Sequence, residues 1–206
     1  MKNAWLIRPY PHGINRVTEF RENGIIAIGW PCIGDLKGKS REDLKLLLSQ
    51  PPYSLTGIAL GNAYATIDIF VNQMKTGDLI LMPNGEDIYL GELTGDYSLD
   101  ASVDNDKDGY PHQRTAKWLN TVSRKDMSMD LRLSLKVHRT TASLSHHYKE
   151  IEALCKGEKF SVVSDLIDVK YPLRPDFEVS FKLPKDISKD EAQRLSSYFA
   201  SLYFVK

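Results

Sequence analysis

The sequence predicts an α+β fold: a small mixed β-barrel with helices in the connections between its strands, followed by a C-terminal α/β extension. Three observations indicate this class. Short apolar runs rich in β-branched residues recur along the chain. Segments with a helical spacing of apolar residues separate several of them, and proline or glycine turns close most of the runs. The 42% hydrophobic and 26% charged residues are typical of a globular protein.

The elements of the predicted barrel follow from these patterns. Strands are expected over residues 4–7, 24–30, 78–82, 87–94, 113–119 and 133–138. Helices are expected around residues 15–21, from a capping box at Ser40 to Pro51-Pro52, and over residues 58–75, where Gly77 ends the helix.

The C-terminal part of the chain has a different pattern. A helix over 145–155, strands over 160–163 and 176–183, and an amphipathic helix over 187–204 are expected there. We therefore place a domain boundary near residue 140, which gives domains 1–140 and 141–206.

The charge balance and the cysteine content exclude some classes of protein and favour others. The 27 basic and 27 acidic residues cancel, which excludes a polybasic nucleic-acid binder. Locally, residues 84–108 carry eight acidic residues and one lysine, and residues 109–140 carry seven Lys or Arg and two Asp; ordinary solvated surface explains both stretches equally well. Because the N-terminus turns polar after four apolar residues and no apolar run is long enough to span a membrane, neither a signal peptide nor a membrane span is expected. The two distant cysteines favour a reducing, cytoplasmic location.

Motifs for catalysis or metal binding are incomplete. Asp104 to Gly109 match the first half of an EF-hand loop, but Thr115 stands where the twelfth-position glutamate belongs. The adjacent His146 and His147 do not favour a shared zinc ion. The residues from Asp165 to Lys182 do not have the spacing of a PD-(D/E)xK nuclease core, because no lysine stands two residues after Glu178. The sequence thus predicts no metal, no cofactor and no catalytic set, and the chain is more consistent with a binding protein than with an enzyme.

Five segments carry a resemblance to a known family: in chain order WLIRP, IIAIGWPCIGDL, FVNQMKTGDLIL, IYLGELTGDY and YPHQRTAKWL. Residues 3–139 thereby resemble the N-terminal domain of predicted Mrr-type restriction endonucleases. That domain is similar to the EVE and YTH members of the PUA-like superfamily. The resemblance implies that residues 1–140 form a PUA-like barrel whose pocket takes up a flipped, modified base.

The resemblance also implies candidate binding residues. Trp30 falls where a cage tryptophan follows the second strand, although rim packing is an alternative for any aromatic residue at a strand end. Arg8 and Pro9 match polar positions after the first strand, and Asn84 lies near the position that follows the central strand.

Further candidates lie around the strand over residues 113–119. Tyr110 and His112 precede it, where a second cage aromatic is often found in the family, although this chain has no tryptophan there. Arg114, Lys117 and Arg124 belong to the basic stretch and are expected to contact phosphates, which would position a duplex without reading its sequence.

These inferences lead to one main functional hypothesis. The chain is expected to be a non-enzymatic reader of a modified base, in DNA more than in RNA, within a restriction or phage-defence system and alongside a separate nuclease or ATPase effector. The alternatives are a subunit or truncated form of an Mrr-type restriction endonuclease, and a module that binds a small molecule or a protein in the same pocket.

Overall fold

The chain divides into two units, Met1–Phe160 and Ser161–Lys206. The computed structural model describes residues 2–158, 166–184 and 187–202. No helix in this part of the chain combines the length and hydropathy needed to span a lipid bilayer.

A single mixed sheet organises the first unit. Its strands are β1 (Ala4–Ile7), β2 (Ile25–Ile28), β3 (Leu79–Asn84), β4 (Asp87–Leu93), β5 (Ser98–Leu99), β6 (His112–Ser123) and β7 (Thr141–Ser143). They are hydrogen-bonded in the order β2-β6-β4-β3-β1-β7, and β5 pairs with β6. The pairing of β1 with β3 is parallel, and the other pairs are antiparallel. The sheet curls into a half-barrel, which confirms the predicted mixed α+β class.

Helices occupy the connections, as the sequence predicts. They are α1 (Val17–Glu22), α2 (Arg41–Ser49), α3 (Gly57–Asp68), α4 (Met129–Ser134) and α5 (Tyr148–Cys155). A π-helical turn at Ile69–Gln73 continues α3. At the start of α2 the predicted capping box is present, because Ser40 Oγ accepts a hydrogen bond from the Asp43 amide and the Asp43 carboxylate accepts one from the Ser40 amide.

Around β1 the sheet is buried on both faces. On one side Trp5 and Ile7 of β1 share a cluster with residues of α1, α2 and α3. On the other side Ala4 and Leu6 share a cluster with residues of α4 and α5. Because alternate residues of a strand point to opposite faces, a strand covered on both sides reads as one continuous apolar run, and this is why β1 contains no polar residue.

The expected strand over residues 133–138 is wrong. This region contains the end of α4, which begins because Ser128 Oγ accepts a hydrogen bond from the Leu131 amide. Ser128 is itself held by the carboxylate of Glu150, at 2.7 Å from both its amide nitrogen and its hydroxyl. Leu131 and Leu135 then lie one turn apart on the buried face.

The two compact units meet after residue 160, whereas the sequence analysis places its domain boundary near residue 140. β7 pairs with β1, so the chain just after residue 140 completes the sheet of the first unit. Helix α5 follows, and its Ile151 and Leu154 are buried in the same cluster as Leu6 of β1.

The second unit is a β-hairpin followed by a helix. It consists of β8 (Leu166–Arg174), β9 (Phe177–Pro184) and α6 (Lys189–Ser201). The sequence analysis predicts β9 and α6 but not β8. The expected strand over residues 160–163 lies outside the described residues, as does the end of the helix expected to reach residue 204. An apolar groove runs between the hairpin and α6.

Candidate functional site

A pocket of about 280 Å³ opens where β2 ends. It is lined by Tyr10, Pro11, His12, Ala27, Ile28, Gly29, Trp30, Tyr53 and Thr140. Three of these side chains are aromatic rings of Trp or Tyr, and none is a carboxylate, a lysine or an arginine. The volume lies just below the range of about 300–1,000 Å³ that is typical of small-molecule sites, so the pocket suits one planar group rather than a large cofactor.

Backbone conformations with positive φ concentrate around this pocket. In the described part of the chain, four residues other than glycine have a positive φ: His12 (53°), Trp30 (65°), Cys32 (63°) and Ser54 (49°). Two of them line the pocket, and the other two lie within two residues of lining residues. Such conformations are unfavourable for L-amino acids, and they cluster at functional sites, where the surrounding structure holds them in place.

Trp30 is half-buried, and it both lines the pocket and packs against the larger core cluster. Its carbonyl oxygen lies 3.0 Å from Nε2 of His112. The next carbonyl, that of Pro31, accepts a hydrogen bond of 2.8 Å from the Tyr53 hydroxyl. The chain that carries the tryptophan is therefore fixed by two side chains from distant parts of the sequence.

A second, basic groove of about 300 Å³ adjoins the pocket. It is lined by Arg8, Tyr10, His138, Arg139 and Thr140, so Tyr10 and Thr140 belong to both cavities. Arg8 donates from one guanidinium nitrogen to the carbonyl oxygens of Leu135 and Val137, both at 2.9 Å. Arg139 is exposed.

Two more of the sequence-predicted residues lie beside this groove. Asn84 Oδ1 accepts a hydrogen bond of 3.2 Å from the hydroxyl of the groove residue Tyr10. Arg124 donates to the carbonyl oxygen of Gly85, the residue after Asn84. Burial and the nearby positive charge of Arg124 both lower the pKa of Arg8. Arg8, Asn84 and Arg124 are thus brought together, next to the pocket that contains Trp30.

Other predicted residues do not reach the cavity. Tyr110 is a core residue: its ring packs edge-on against Phe20 at 5.4 Å, and its hydroxyl donates to the carboxylate of Glu19. Burial and this carboxylate raise the pKa of Tyr110 to about 12. His112 is fully buried behind Trp30 and is not among the residues that line the pocket.

Arg114 is not available for phosphate, which corrects the expectation from the basic stretch. It is only 2% exposed, and its guanidinium donates to the carbonyl oxygens of Phe70 and Val71 at 2.7 and 2.9 Å. It thereby satisfies carbonyl groups of the π-helical turn. Lys117 is exposed on the same strand but lies five residues beyond His112, about 17 Å along β6. Pro9 is buried beside the groove and receives a hydrogen bond from the Arg16 amide.

Sequence reasoning missed several lining residues: Tyr10, His12, Tyr53, His138, Arg139 and Thr140. Tyr10 and His12 alternate with prolines in the segment RPYPHG, and this interruption of a strand by aromatic and polar residues is the one local signal that indicates them. The contributions of Tyr53 and Arg139 depend on how distant loops meet and have no comparable signal.

The acidic loop after β5 has a structural role in the described contacts. Asp104 Oδ1 accepts a hydrogen bond of 2.6 Å from the Cys32 amide, near the pocket rim. Asp108 forms an ion pair of 3.1 Å with Arg16. Within residues 2–158, 166–184 and 187–202, no three His, Cys, Asp or Glu side chains are grouped as a metal site requires.

A family model described as "Domain of unknown function (DUF8426)" matches residues 12–143, more than half of the chain. The chain is a member of DUF8426. The matched region of DUF8426 begins at the pocket residue His12 and ends in β7, and therefore includes Trp30 and Arg139. A search of curated proteins finds no match to the chain.

Several solved structures are similar to this DUF8426 chain at low identity. The YTH domain of the Zygosaccharomyces rouxii MRB1 protein, in complex with N6-methyladenosine RNA, is 14% identical, with 76% of this chain and 88% of that chain covered and a TM-score of 0.40. The Pho92 YTH domain in complex with m6A is 13% identical, with 78% and 88% covered and a TM-score of 0.38. A protein of Agrobacterium tumefaciens is 14% identical, with 78% and 97% covered and a TM-score of 0.37.

Proposed function

We propose that this DUF8426 protein is a non-enzymatic reader of modified nucleic acid, which takes a flipped base into the Trp30 pocket and holds the adjoining backbone in the basic groove. The observation that carries the proposal is the continuity of the two cavities through Tyr10 and Thr140. An aromatic pocket beside a cationic groove provides stacking for one base and charge for its phosphates. The sequence resemblance to modified-base readers of the PUA-like superfamily points to the same class.

The pocket lining favours an uncharged modified base. Stacking on an aromatic face is worth about 1–3 kcal/mol, whereas extrusion of a base from a duplex costs a few kcal/mol. The pocket must therefore add hydrogen bonds to the base edge, and Tyr10, His12 and Thr140 are polar side chains of its lining. The Tyr10 hydroxyl already donates to Asn84, and Nε2 of His12 lies 3.0 Å from the Gly109 carbonyl oxygen, so Tyr10 contributes an acceptor and His12 its other nitrogen. None of the nine lining residues offers a carboxylate to pair with a cationic base. A methyl or hydroxymethyl group on a neutral base is the modification that we propose.

The wider setting that we propose is a restriction or phage-defence system, with DNA rather than RNA as the target. This part of the proposal is supported by the resemblance to the N-terminal domain of predicted Mrr-type endonucleases. In such a system recognition by this chain would direct a separate nuclease or ATPase effector.

The test is a binding assay with matched short oligonucleotides. Duplex DNA and single-stranded RNA would each contain one N6-methyladenine, 5-methylcytosine, 5-hydroxymethylcytosine or unmodified base. We expect one modified DNA to bind more tightly than its unmodified counterpart. Trp30→Ala should weaken that complex by about 5- to 150-fold, the equivalent of 1–3 kcal/mol, whereas Trp30→Phe keeps a stacking face and should retain most of the affinity. Equal or absent binding to all probes would refute the proposal.

The groove is tested separately through salt dependence. Arg139→Ala should weaken binding to modified and unmodified DNA by the same factor and should lower the slope of log K against log salt by about 1, because one phosphate contact is lost. Lys117→Ala removes the same charge from an exposed site farther along β6 and serves as the control. If the slope of the Arg139 variant equals that of wild type, the basic groove does not hold the phosphate backbone, and this part of the proposal is refuted.

A further inference from the structure

We infer that His112 and Tyr97 are positioning residues for the pocket: a chain of hydrogen bonds through them fixes the backbone of Trp30 and thereby the orientation of its ring. The effect on binding rests on the proposed function, but the effect on Trp30 itself does not. Both residues lie behind the pocket wall and neither lines the cavity.

The direction of the hydrogen bonds follows from their end points. The Trp30 carbonyl can only accept, so Nε2 of His112 at 3.0 Å must carry the proton and donate. Nδ1 of the neutral ring is then an acceptor, and it lies 2.9 Å from the Tyr97 hydroxyl, which donates to it. The Tyr97 oxygen in turn accepts a hydrogen bond of 3.1 Å from the Leu36 amide. One directed chain therefore connects the Leu36 amide to the Trp30 carbonyl.

Burial makes this series of hydrogen bonds rigid. His112 is fully buried, Tyr97 is 6% exposed, and their rings are stacked at 5.9 Å with an interplanar angle of 25°. Burial raises the pKa of Tyr97 to about 12, so its hydroxyl keeps the proton that it donates. Every polar side-chain atom of the two residues is thus paired, and their burial makes the loss of either partner costly.

These hydrogen bonds hold a backbone conformation that is unfavourable by itself. A residue as bulky as tryptophan rarely adopts a φ of 65°, and surrounding contacts must hold it there. The hydrogen bond from His112 fixes the peptide plane that follows Trp30, and the bond from Tyr53 to the Pro31 carbonyl fixes the next one. Because the first of these planes contains the Cα atom of Trp30, the bond from His112 restrains the direction in which the indole leaves the backbone, and the bond from Tyr53 holds the segment that follows.

Tyr97 has a specific role in this arrangement, because it supplies the donor for the second nitrogen of His112. Without its hydroxyl, Nδ1 is a buried acceptor with no donor, and the imidazole gains from any reorientation that gives Nδ1 a new partner. Such a reorientation weakens the bond from Nε2 to the Trp30 carbonyl. A hydroxyl that does not line the pocket therefore helps to hold Trp30.

The experiment uses the full chain labelled with 5-fluorotryptophan. The chain has three tryptophans, so three ¹⁹F resonances are expected, and each is assigned from a single Trp→Phe variant. In Tyr97→Phe and His112→Phe the Trp30 resonance should shift or broaden, while those of Trp5 and Trp118 stay in place. His112→Gln should restore the wild-type resonance, because a glutamine amide can donate to the same carbonyl.

Affinity for the best modified oligonucleotide provides the second measurement. It should fall by about tenfold in Tyr97→Phe and His112→Phe, the size of one or two lost hydrogen bonds, and should recover in His112→Gln. If no oligonucleotide binds wild type while the Trp30 resonance responds as expected, the proposed function fails and the positioning role stands.

Three results would overturn the inference. The first is an unchanged Trp30 resonance in folded Tyr97→Phe, the mildest variant because it keeps the ring. The second is a joint movement of all three resonances, which would indicate general loosening of the core. The third is a folded His112→Gln variant that behaves like His112→Phe.

Discussion

Trp30 combines a large side chain with a backbone conformation that favours glycine, since its φ is 65°. In the interior of a helix or strand, a change from alanine to glycine destabilises a protein by about 0.5–1 kcal/mol. Here the order should reverse, because alanine keeps the Cβ atom that strains a left-handed backbone by about 1–2 kcal/mol, whereas glycine does not.

The resulting prediction compares two variants that both lack the indole. In urea denaturation Trp30→Gly should unfold at a higher midpoint than Trp30→Ala, and neither should bind the modified oligonucleotide as wild type does. A lower midpoint for the glycine variant would show that Trp30 is not strained.

His112 should make the stability of the protein depend on pH. Burial lowers the pKa of His112 below the ordinary 6.5, so the unfolded chain takes up a proton at a pH where the folded chain does not. Acid therefore favours unfolding: the contribution is complete above about pH 7 and declines as the pH falls through 6.5. Burial also lowers the pKa of the less buried His147, which acts in the same direction.

The measurement is the free energy of unfolding of wild type and His112→Gln at several values between pH 7.5 and 5. The decline should be shallower in the variant, because only His147 among these two groups remains to titrate. Parallel curves for the two proteins would contradict the assignment of this pH dependence to His112.

The candidate residues show what a strand pattern can and cannot predict. Trp30 and Arg8 could be selected because a strand visibly ends at each of them, and the structure brings both to one end of the sheet. Arg114 was misjudged because alternation along β6 indicates which residues share a face but not what covers that face. Its partners are carbonyl groups some 40 residues away, which no local pattern reveals.

Gly109 explains why the acidic loop contains a motif like that of a calcium site. A Cβ atom at this position would lie 2.6 Å from the Val103 carbonyl oxygen and 2.8 Å from the Asn105 nitrogen, both of them backbone atoms. The glycine is therefore required for the close return of the loop onto itself, and the aspartates bond to the Cys32 amide and to Arg16.

We predict that Gly109→Ala lowers the melting temperature substantially and that millimolar calcium leaves the melting temperature of wild type unchanged. Asp106→Asn, in an exposed position of the same loop, should have little effect on stability and serves as the control. A calcium-dependent rise in melting temperature that is lost in the Asp106 variant would instead indicate a cation site.

At the scale of helices and strands, the sequence predicts those whose ends are marked by adjacent residues, such as a proline or a capping box. Strand β1 ends before a proline, and α2 begins with its own capping box, so both are correctly predicted. Helix α4 is capped by Ser128, which is held by Glu150, a residue 22 positions away, so the adjacent residues carry too little signal and their pattern predicts a strand instead. Strand β8 was missed because Pro172 interrupts it at a register shift.

The stability of the first unit depends on residues that follow position 140. The buried Leu144, Ile151 and Leu154 all follow residue 140 but belong to the core of the first unit. Loss of one such side chain typically costs about 2–5 kcal/mol, so the loss of all three approaches the total stability of a domain, about 5–15 kcal/mol.

Truncation should therefore distinguish the two boundaries. A chain that ends at residue 160 should keep a cooperative thermal transition close to that of the full protein, measured by far-UV circular dichroism. A chain that ends at residue 140 should lose the cooperative transition altogether. Cooperative unfolding of the shorter chain would restore the boundary that the sequence suggested.

The position of β1 in the sheet has a consequence for synthesis of the protein. Strand β1 is synthesised before the other strands of the first unit, and it pairs with β3 through Leu79 and its neighbours, and with β7 through Thr141. At about 5–20 residues per second, the ribosome needs on the order of ten seconds to make the chain between β1 and β7. Throughout that interval the apolar segment Ala4–Ile7 has an unpaired edge. We therefore expect the nascent chain to expose this edge to chaperones, and we expect the long sequence separation of β1 and β7 to slow folding.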